Sequence, residues 1–263
     1  MSSTKTRERQ QRIINLVHEG FTDVEELGGR LRVSISTIRR DLNQLASEGR
    51  LVRTYGGAAF VSHDRREHTL NERMFIQRPQ KEAIAALAFQ QIQEGDTLIL
   101  DAGTTTAALA RMLCGRGDLH VITNNIEALT ILARDEHIRV TMLGGDVRKL
   151  SMGSVGPLAE LALGRISANK VFLGADGIVA DRGLCEASQD QAYLKEKMME
   201  RAETVFVLAD TLKLGNACQQ AWTPMPWLWT LITDTGASAA QLAPFQELEN
   251  VTVLVAAIAD SAS

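Results

Sequence analysis

The chain has 263 residues, 45% of them hydrophobic, and a formal net charge of −4. This length suits one large domain or two of unequal size, and the hydrophobic content is that of an ordinary globular protein. No apolar run approaches the roughly 20 residues of a membrane-spanning helix, the start Met1–Arg7 lacks the apolar core of a signal peptide, and the three cysteines, Cys114, Cys185 and Cys218, are too scattered for a metal pattern or a disulfide frame. A cytoplasmic protein with no membrane partner, no metal and no cofactor is expected.

The charge is unevenly spread. Residues 1–60 carry ten Lys and Arg against seven Asp and Glu, whereas residues 81–263 carry fourteen against twenty-two. A modestly basic head on an acidic body confines any contact with nucleic acid to the head.

In chain order, a first helix is expected from Thr6 to Glu19, with Ile13, Ile14, Leu16 and Val17 as apolar positions and Gly20 as its stop. Asp23 opens a second helix with Glu26 three residues on, a capping-box-like pair. After a turn at Arg32-Val33, Ser34 is the N-cap of a third helix that runs to about Glu48 and stops at Gly49. Ile35, Ile38, Leu42 and Leu45 follow helical spacing and predict one buried face. Ser36, Thr37, Arg39 and Arg40 fall mainly off it, with hydroxyls and forked donors suited to phosphates and guanine edges. Arg50 to Ala58 reads as a small hairpin, or wing, whose Arg53 is placed to touch a phosphate or a minor groove. A three-helix domain with a solvated charged face is the plainer alternative. The combination of tight turn, serine cap, early basic residues and wing favours a winged helix-turn-helix on double-stranded DNA, with Ser34, Ser36, Thr37, Arg39, Arg40 and Arg53 as the contacting residues.

Residues 61–80 read as an irregular but ordered linker, poor in Gly and Ser. His63 and His68 share a helix spacing but have no third ligand, so they read as exposed polar residues.

From residue 81 on, strands and helices alternate. Strands are expected at Thr97–Leu100, His120–Thr123, Arg139–Leu143, Lys170–Leu173, Thr204–Leu208, Trp229–Thr233 and Val251–Ala256. Helices are expected at Lys81–Ile92, Thr105–Leu113, Ile126–Ala133, Leu158–Ile166 and Gln189–Arg201. The pattern predicts an α/β body over 81–263, a mostly parallel sheet with helices on both faces, in which ligands bind beyond the carboxyl ends of the strands. The first such end is Asp101-Ala102-Gly103-Thr104-Thr105-Thr106. A glycine and three threonines at a helix start form an anion cradle of amides, hydroxyls and helix dipole. It is neither a P-loop nor GxGxxG. A ligand-free N-cap cluster is the alternative, but three threonines exceed what one cap needs. Thr123-Asn124-Asn125, Gly144-Gly145-Asp146, Asp176-Gly177 and Asp210 to Gly215 end other strands. Together they suggest one polar pocket, with Lys213 as a cation and Asp101, Asp176 and Asp210 as acceptors for sugar hydroxyls. Lys195 either points into the same pocket or is solvated. Trp222, Trp227 and Trp229, near Pro224 and Pro226, read as a packed connector or subunit contact rather than a stacking platform. Cys185 and Cys218 read as isolated thiols.

These motifs resemble one family, the DeoR-type bacterial transcriptional regulators, from about Arg9 to Ala256. The head carries its signature in Val33-Ser34, Thr37-Ile38-Arg39-Arg40-Asp41-Leu42, Gly49, Arg53 and Gly56-Gly57-Ala58. The body carries it in Lys81, Ile84-Ala85, Asp101 to Thr105, Thr123-Asn124, Leu143-Gly144-Gly145, Asp210 with Lys213, and Thr233-Asp234. The resemblance implies a sensor body related to sugar-phosphate isomerases, assembly as a dimer or tetramer, and repression of carbohydrate genes relieved by a phosphorylated sugar or sugar acid. The effector site it supports comprises Asp101, Gly103, Thr104, Thr105, Thr106, Asn124, Gly145, Asp176, Gly177, Lys195, Asp210 and Lys213. Gln191 stands where the family often has an acid, a position that bears on effector choice. An isomerase-like enzyme with a DNA-binding head is the rival, with Asp176 as its general base and Glu186 behind it. The related isomerases have a dense acidic pair after their Asp-Gly, whereas Ile178-Val179-Ala180 follows here, so binding without turnover is expected. A purely architectural DNA protein needs no pocket and fits least.

Overall fold

The structure, a computed structural model, describes residues 2–18, 21–48, 50–53, 58–60 and 70–258. The expected stops at Gly20 and Gly49, the wing tip at 54–57, the Arg53 side chain, and His63 and His68 lie outside the described residues.

The head comprises α1 (Ser2–His18), α2 (Val24–Leu31), α3 (Ile35–Ser47) and an antiparallel pair, β1 (Leu51–Arg53) with β2 (Ala58–Phe60), in the register Leu51↔Phe60. The three helices close over Ile13, Leu27, Ile38, Leu42 and Leu45, all fully buried. Each such side chain contributes about 1.5–3 kcal/mol by leaving water. Ile35 departs from the expected buried face, being 41% exposed. It sits in the first turn, before α3 reaches the core. The α2–α3 turn is made by Arg32, in the left-handed region at φ 54°, whose N–H is shared between the Gly28 and Gly29 carbonyls.

Two further helices follow: α4 (Leu70–Phe75), within the stretch expected to be irregular, and α5 (Arg78–Phe89), which is the helix expected at Lys81–Ile92 begun three residues earlier. The body then runs β3 (Thr97–Leu100), α6 (Thr104–Leu113), β4 (Leu119–Thr123), α7 (Ile126–Leu132), β5 (Ile138–Met142), β6 (Asp146–Arg148), β7 (Gly153–Val155) and α8 (Pro157–Leu163). It continues through β8 (Ala168–Leu173), β9 (Gly177–Val179), β10 (Gly183–Glu186), α9 (Gln189–Glu200), β11 (Ala202–Leu208), a 3₁₀ turn at Thr211–Lys213, β12 (Ala221–Thr223), β13 (Trp229–Asp234), α10 (Ala239–Gln246) and β14 (Val251–Ala256).

Seven strands form one wholly parallel sheet in the order β14-β13-β11-β8-β3-β4-β5. Strand periodicity sends alternate side chains to opposite faces. Leu98, Leu100, Phe172, Phe206 and Ile232 pack under α5, α6 and α7. Their neighbours Ile99, Val171, Val205, Val207 and Leu231 pack with α8, α9 and α10. This is the helix-covered parallel sheet that near-continuous apolar strands predict. Two small antiparallel sheets, β6-β7 and β12-β10-β9, flank it. The tryptophans do not cluster: Trp229 is buried edge-on against Phe245, Trp222 lies under Arg182, and Trp227 is exposed. No helix among the described residues is long and apolar enough to cross a membrane.

Candidate functional site

In the head, Ser34 caps α3, its Oγ accepting from Thr37 N at 3.3 Å and lying 2.9 Å from Ser36 Oγ and 2.8 Å from Thr37 Oγ1. Asp23 caps α2 through Glu25 N and Glu26 N. The reciprocal half of the expected capping box is not made, because Glu26 accepts from Arg30 instead. Arg39 and Arg40 are exposed and make no hydrogen bond or ion pair among the described residues, so their donors are available. Behind them Asp41 is buried on the inner side of α3. Arg9 Nε donates to its Oδ2 at 2.5 Å and Arg9 Nη2 to its Oδ1 at 3.1 Å, a bidentate fork that ties α3 to α1. That bond holds the Arg9 pKa above its ordinary value against partial burial.

In the body, a cavity of about 290 Å³ opens at the carboxyl ends of the central strands. Gly103, Thr104 and Thr105 form one wall, at the start of α6. No side chain caps α6, so its first amides and its dipole face the cavity without a competitor. Arg73, Lys81, Asp176, Asp210, Lys213 and Gln191 line the rest, with Glu186 and Lys195 at the base. Gln191 is buried and its Oε1 has no hydrogen-bond partner among the described residues.

Beneath the cavity lies a buried charge cluster. Lys195 pairs with Asp101, stands 3.0 Å from Glu186 Oε1, and donates to Gly174 O at 2.6 Å. Burial works against the ammonium, but Asp101 and Glu186 outweigh it and hold the Lys195 pKa above its ordinary value. Burial pushes the Glu186 carboxyl up to about 8 despite Lys195, with Asp176 and Asp101 adding to the rise, so it carries its proton at neutral pH. Lys81 donates to Arg73 O at 2.6 Å and Ile76 O at 2.8 Å. Burial lowers its pKa to about 8, opposed by Asp210 and aided by Lys213 and Arg73. Burial likewise raises the Asp210 pKa, against Lys213 and Lys81.

Seven of the twelve residues expected at the effector site line this cavity: Gly103, Thr104, Thr105, Asp176, Lys195, Asp210 and Lys213. The other five do not line it. Asp101 does not line the cavity, and its Oδ2 takes both Lys195 and Gly174 N, the latter at 3.1 Å. Thr106 is fully buried and its hydroxyl donates to Asp101 O at 2.6 Å, closing the turn rather than facing a ligand. Asn124 Nδ2 donates to Ser154 O at 3.1 Å. Gly145, at φ 112°, and Gly177 are packing glycines: an added Cβ would lie 2.2 Å from Val155 O and 2.1 Å from Asn216 O respectively. Lys195 is buried, not solvated.

Arg73, Glu186 and Lys81 also line the cavity, and no local sequence pattern marks the first two as site residues. Arg73 comes from a six-residue helix too short to show periodicity, and Glu186 from a four-residue strand. Cys185 and Cys218 are not isolated: their Sγ atoms are 3.9 Å apart, and Cys218 reaches the cavity wall.

Residues 9–64 match the DeoR-like helix-turn-helix domain, and residues 76–235 match the DeoR C terminal sensor domain. The uncharacterized HTH-type transcriptional regulator YulB of Bacillus subtilis is 35% identical over 252 residues, covering 95% of this chain and 96% of that protein. The glycerol-3-phosphate regulon repressor of Escherichia coli is 33% identical, covering 81% and 84%. Among solved structures, a ribose 5-phosphate isomerase from Methanocaldococcus jannaschii overlaps 52% of this chain and 54% of its own, at 19% identity and a TM-score of 0.39. A helix-turn-helix head joined to a parallel α/β body thus defines a DNA-binding regulator, not an enzyme. The chain belongs to the DeoR family of transcriptional regulators.

Proposed function

We propose that this regulator represses a carbohydrate or sugar-acid catabolic operon and lets go of its operator when a phosphorylated metabolite fills the cavity of the body. The observation that carries this reading is the uncapped start of α6, which faces a cavity also lined by Thr104, Thr105, Arg73 and Lys213. Amide donors, hydroxyls and cations converging on one enclosed space suit a phosphate, and the hydrogen-bonding Gln191 and Asp210 suit the hydroxyls of its carrier. The name of the glycerol-3-phosphate regulon repressor supports a phosphorylated effector of this kind. The head reads operator DNA through Arg39 and Arg40 with Ser34, Ser36 and Thr37, and with Arg53 from the wing. The exposed Ile35 adds an apolar contact for a thymine methyl. A homo-oligomer, dimer or tetramer, places two heads on two half-sites, and the effector acts by shifting their relative placement. A cytoplasmic site of action follows from that role.

The test is Thr105→Val in the full chain. The variant is expected to shift operator DNA as wild type does and to respond weakly to a panel of sugar phosphates. Release of DNA at wild-type concentrations of the active sugar phosphate would remove the phosphate from this position.

A further inference from the structure

Among the described residues Arg73 is the only arginine lining the cavity, and its guanidinium is poorly served. Nη1 makes one long contact, 3.3 Å, with Asp176 Oδ1, while Nε and Nη2 are buried without a hydrogen-bond partner. A guanidinium in a protein interior ordinarily fills its fork with a carboxylate or phosphate, and leaving buried donors unmet is costly. Asp176 meets Arg73 through Oδ1 alone, while its Oδ2 accepts from Ala187 N at 3.3 Å. Arg73 belongs to α4, which packs against α6, the helix whose open start forms another part of the cavity wall. Lys81, in α5, donates to the carbonyl of Arg73 in α4 and to that of Ile76 just after it, so α4 and α5 are fastened together at this point. In the chain, α4 stands between the DNA-binding head and the body.

On the reading that the cavity takes a phosphorylated effector, we propose that Arg73 is the residue that senses it. The phosphate at the start of α6 displaces Asp176 from Arg73 and fills the guanidinium fork with two of its oxygens. Occupancy is thereby written into the position of α4, the element through which the body connects to the head. Asp176 is the competitor that holds Arg73 when the cavity is empty. A ligand that differs in affinity between the two placements of α4 shifts their populations by that difference.

The competition predicts a sign that simple charge removal does not. With the full chain and inorganic phosphate as the probe at pH 7, calorimetric titration of Arg73→Gln is expected to show at least tenfold weaker binding. Arg73→Lys, which keeps the charge and loses the fork, should recover only part of it. Asp176→Asn is expected to tighten binding at least threefold, and that gain should vanish in the double variant R73Q/D176N. Hydrogen exchange across α4 should change on adding phosphate to wild type and not to Arg73→Gln. Arg73→Gln binding phosphate like wild type, or Asp176→Asn tightening it equally in the Arg73→Gln background, would overturn the role of Arg73. Thr105→Val separates the two readings. If it loses phosphate while Arg73→Gln does not, the cradle stands and the sensor falls. If wild type binds no phosphate, both fall.

Discussion

Lys195 Nζ lies 3.0 Å from Glu186 Oε1, and both side chains are sealed from solvent together with Asp101. One ammonium thus serves two carboxyl groups under the floor of the cavity. Removing it leaves the Asp101 carboxylate buried without its counter-ion. Lys195→Ala is therefore expected to cost about 3–5 kcal/mol in urea unfolding, the penalty of breaking a buried ion pair on one side. A loss below 1 kcal/mol would mean that the cluster is open to water.

The same cluster gives the cavity a pH response. Glu186 and Lys81 both have pKa values of about 8. Below that, Glu186 is neutral and Lys81 is cationic; above it, the cavity gains a negative charge and loses a positive one. Anion binding should therefore weaken as pH rises from 7 to 9. Sulfate keeps its own charge across this range, so its titration reports the protein alone. Glu186→Gln should flatten part of the decline. Affinity that is constant or rises with pH would contradict it.

In the head, Arg39 and Arg40 are exposed and unengaged, so Arg39→Ala and Arg40→Ala should leave the melting temperature unchanged and abolish operator shift. A lost base contact costs about 1–3 kcal/mol. If either arginine instead grips a phosphate, the slope of log affinity against log salt should fall by about one. Wild-type affinity in both variants would remove them from the interface.

The fork from Arg9 to Asp41 fixes α3 from behind. Arg9→Ala leaves Asp41 buried with only a 3.5 Å contact from Gln10 Nε2. A loss of about 1–3 kcal/mol is expected in thermal or urea unfolding, as for an unmet buried acceptor. Operator affinity should fall with it, because the recognition surface is carried by the same helix.

The sheet and its crossover helices were legible because each strand is a short apolar run and each helix a longer periodic one. What escaped lacks those signals. The strands β9, β10 and β12 have three or four residues each, too few for alternation to appear. The helix α10 is short and carries Pro244, a residue that interrupts helical hydrogen bonding, inside it, although Ser238 with Gln241 is a capping box that marks its start. In the site, the wall at Gly103–Thr105 followed from residue type and place. The fate of Asp101 did not, since an acid at a strand end looks the same whether it meets a ligand or Lys195. Arg73 sat in a stretch of mixed charge where nothing local distinguishes it.

The two-faced burial of the parallel sheet has a consequence for how the chain finds its alignment. In β3, Leu98 and Leu100 face one apolar layer and Ile99 the other, so a slip by one residue would exchange oil for oil. Hydrophobicity alone barely penalises that error. The polar ends do: Asp101 N must find Phe172 O, and the Thr123 hydroxyl must find Leu100 O at 2.7 Å. The polar residues at these strand ends therefore also act as the gauge that sets strand against strand. A lineage adapting this protein to a new metabolite has little freedom at these strand ends, and its easiest route to a new specificity runs through the residues that helices and loops bring to the cavity.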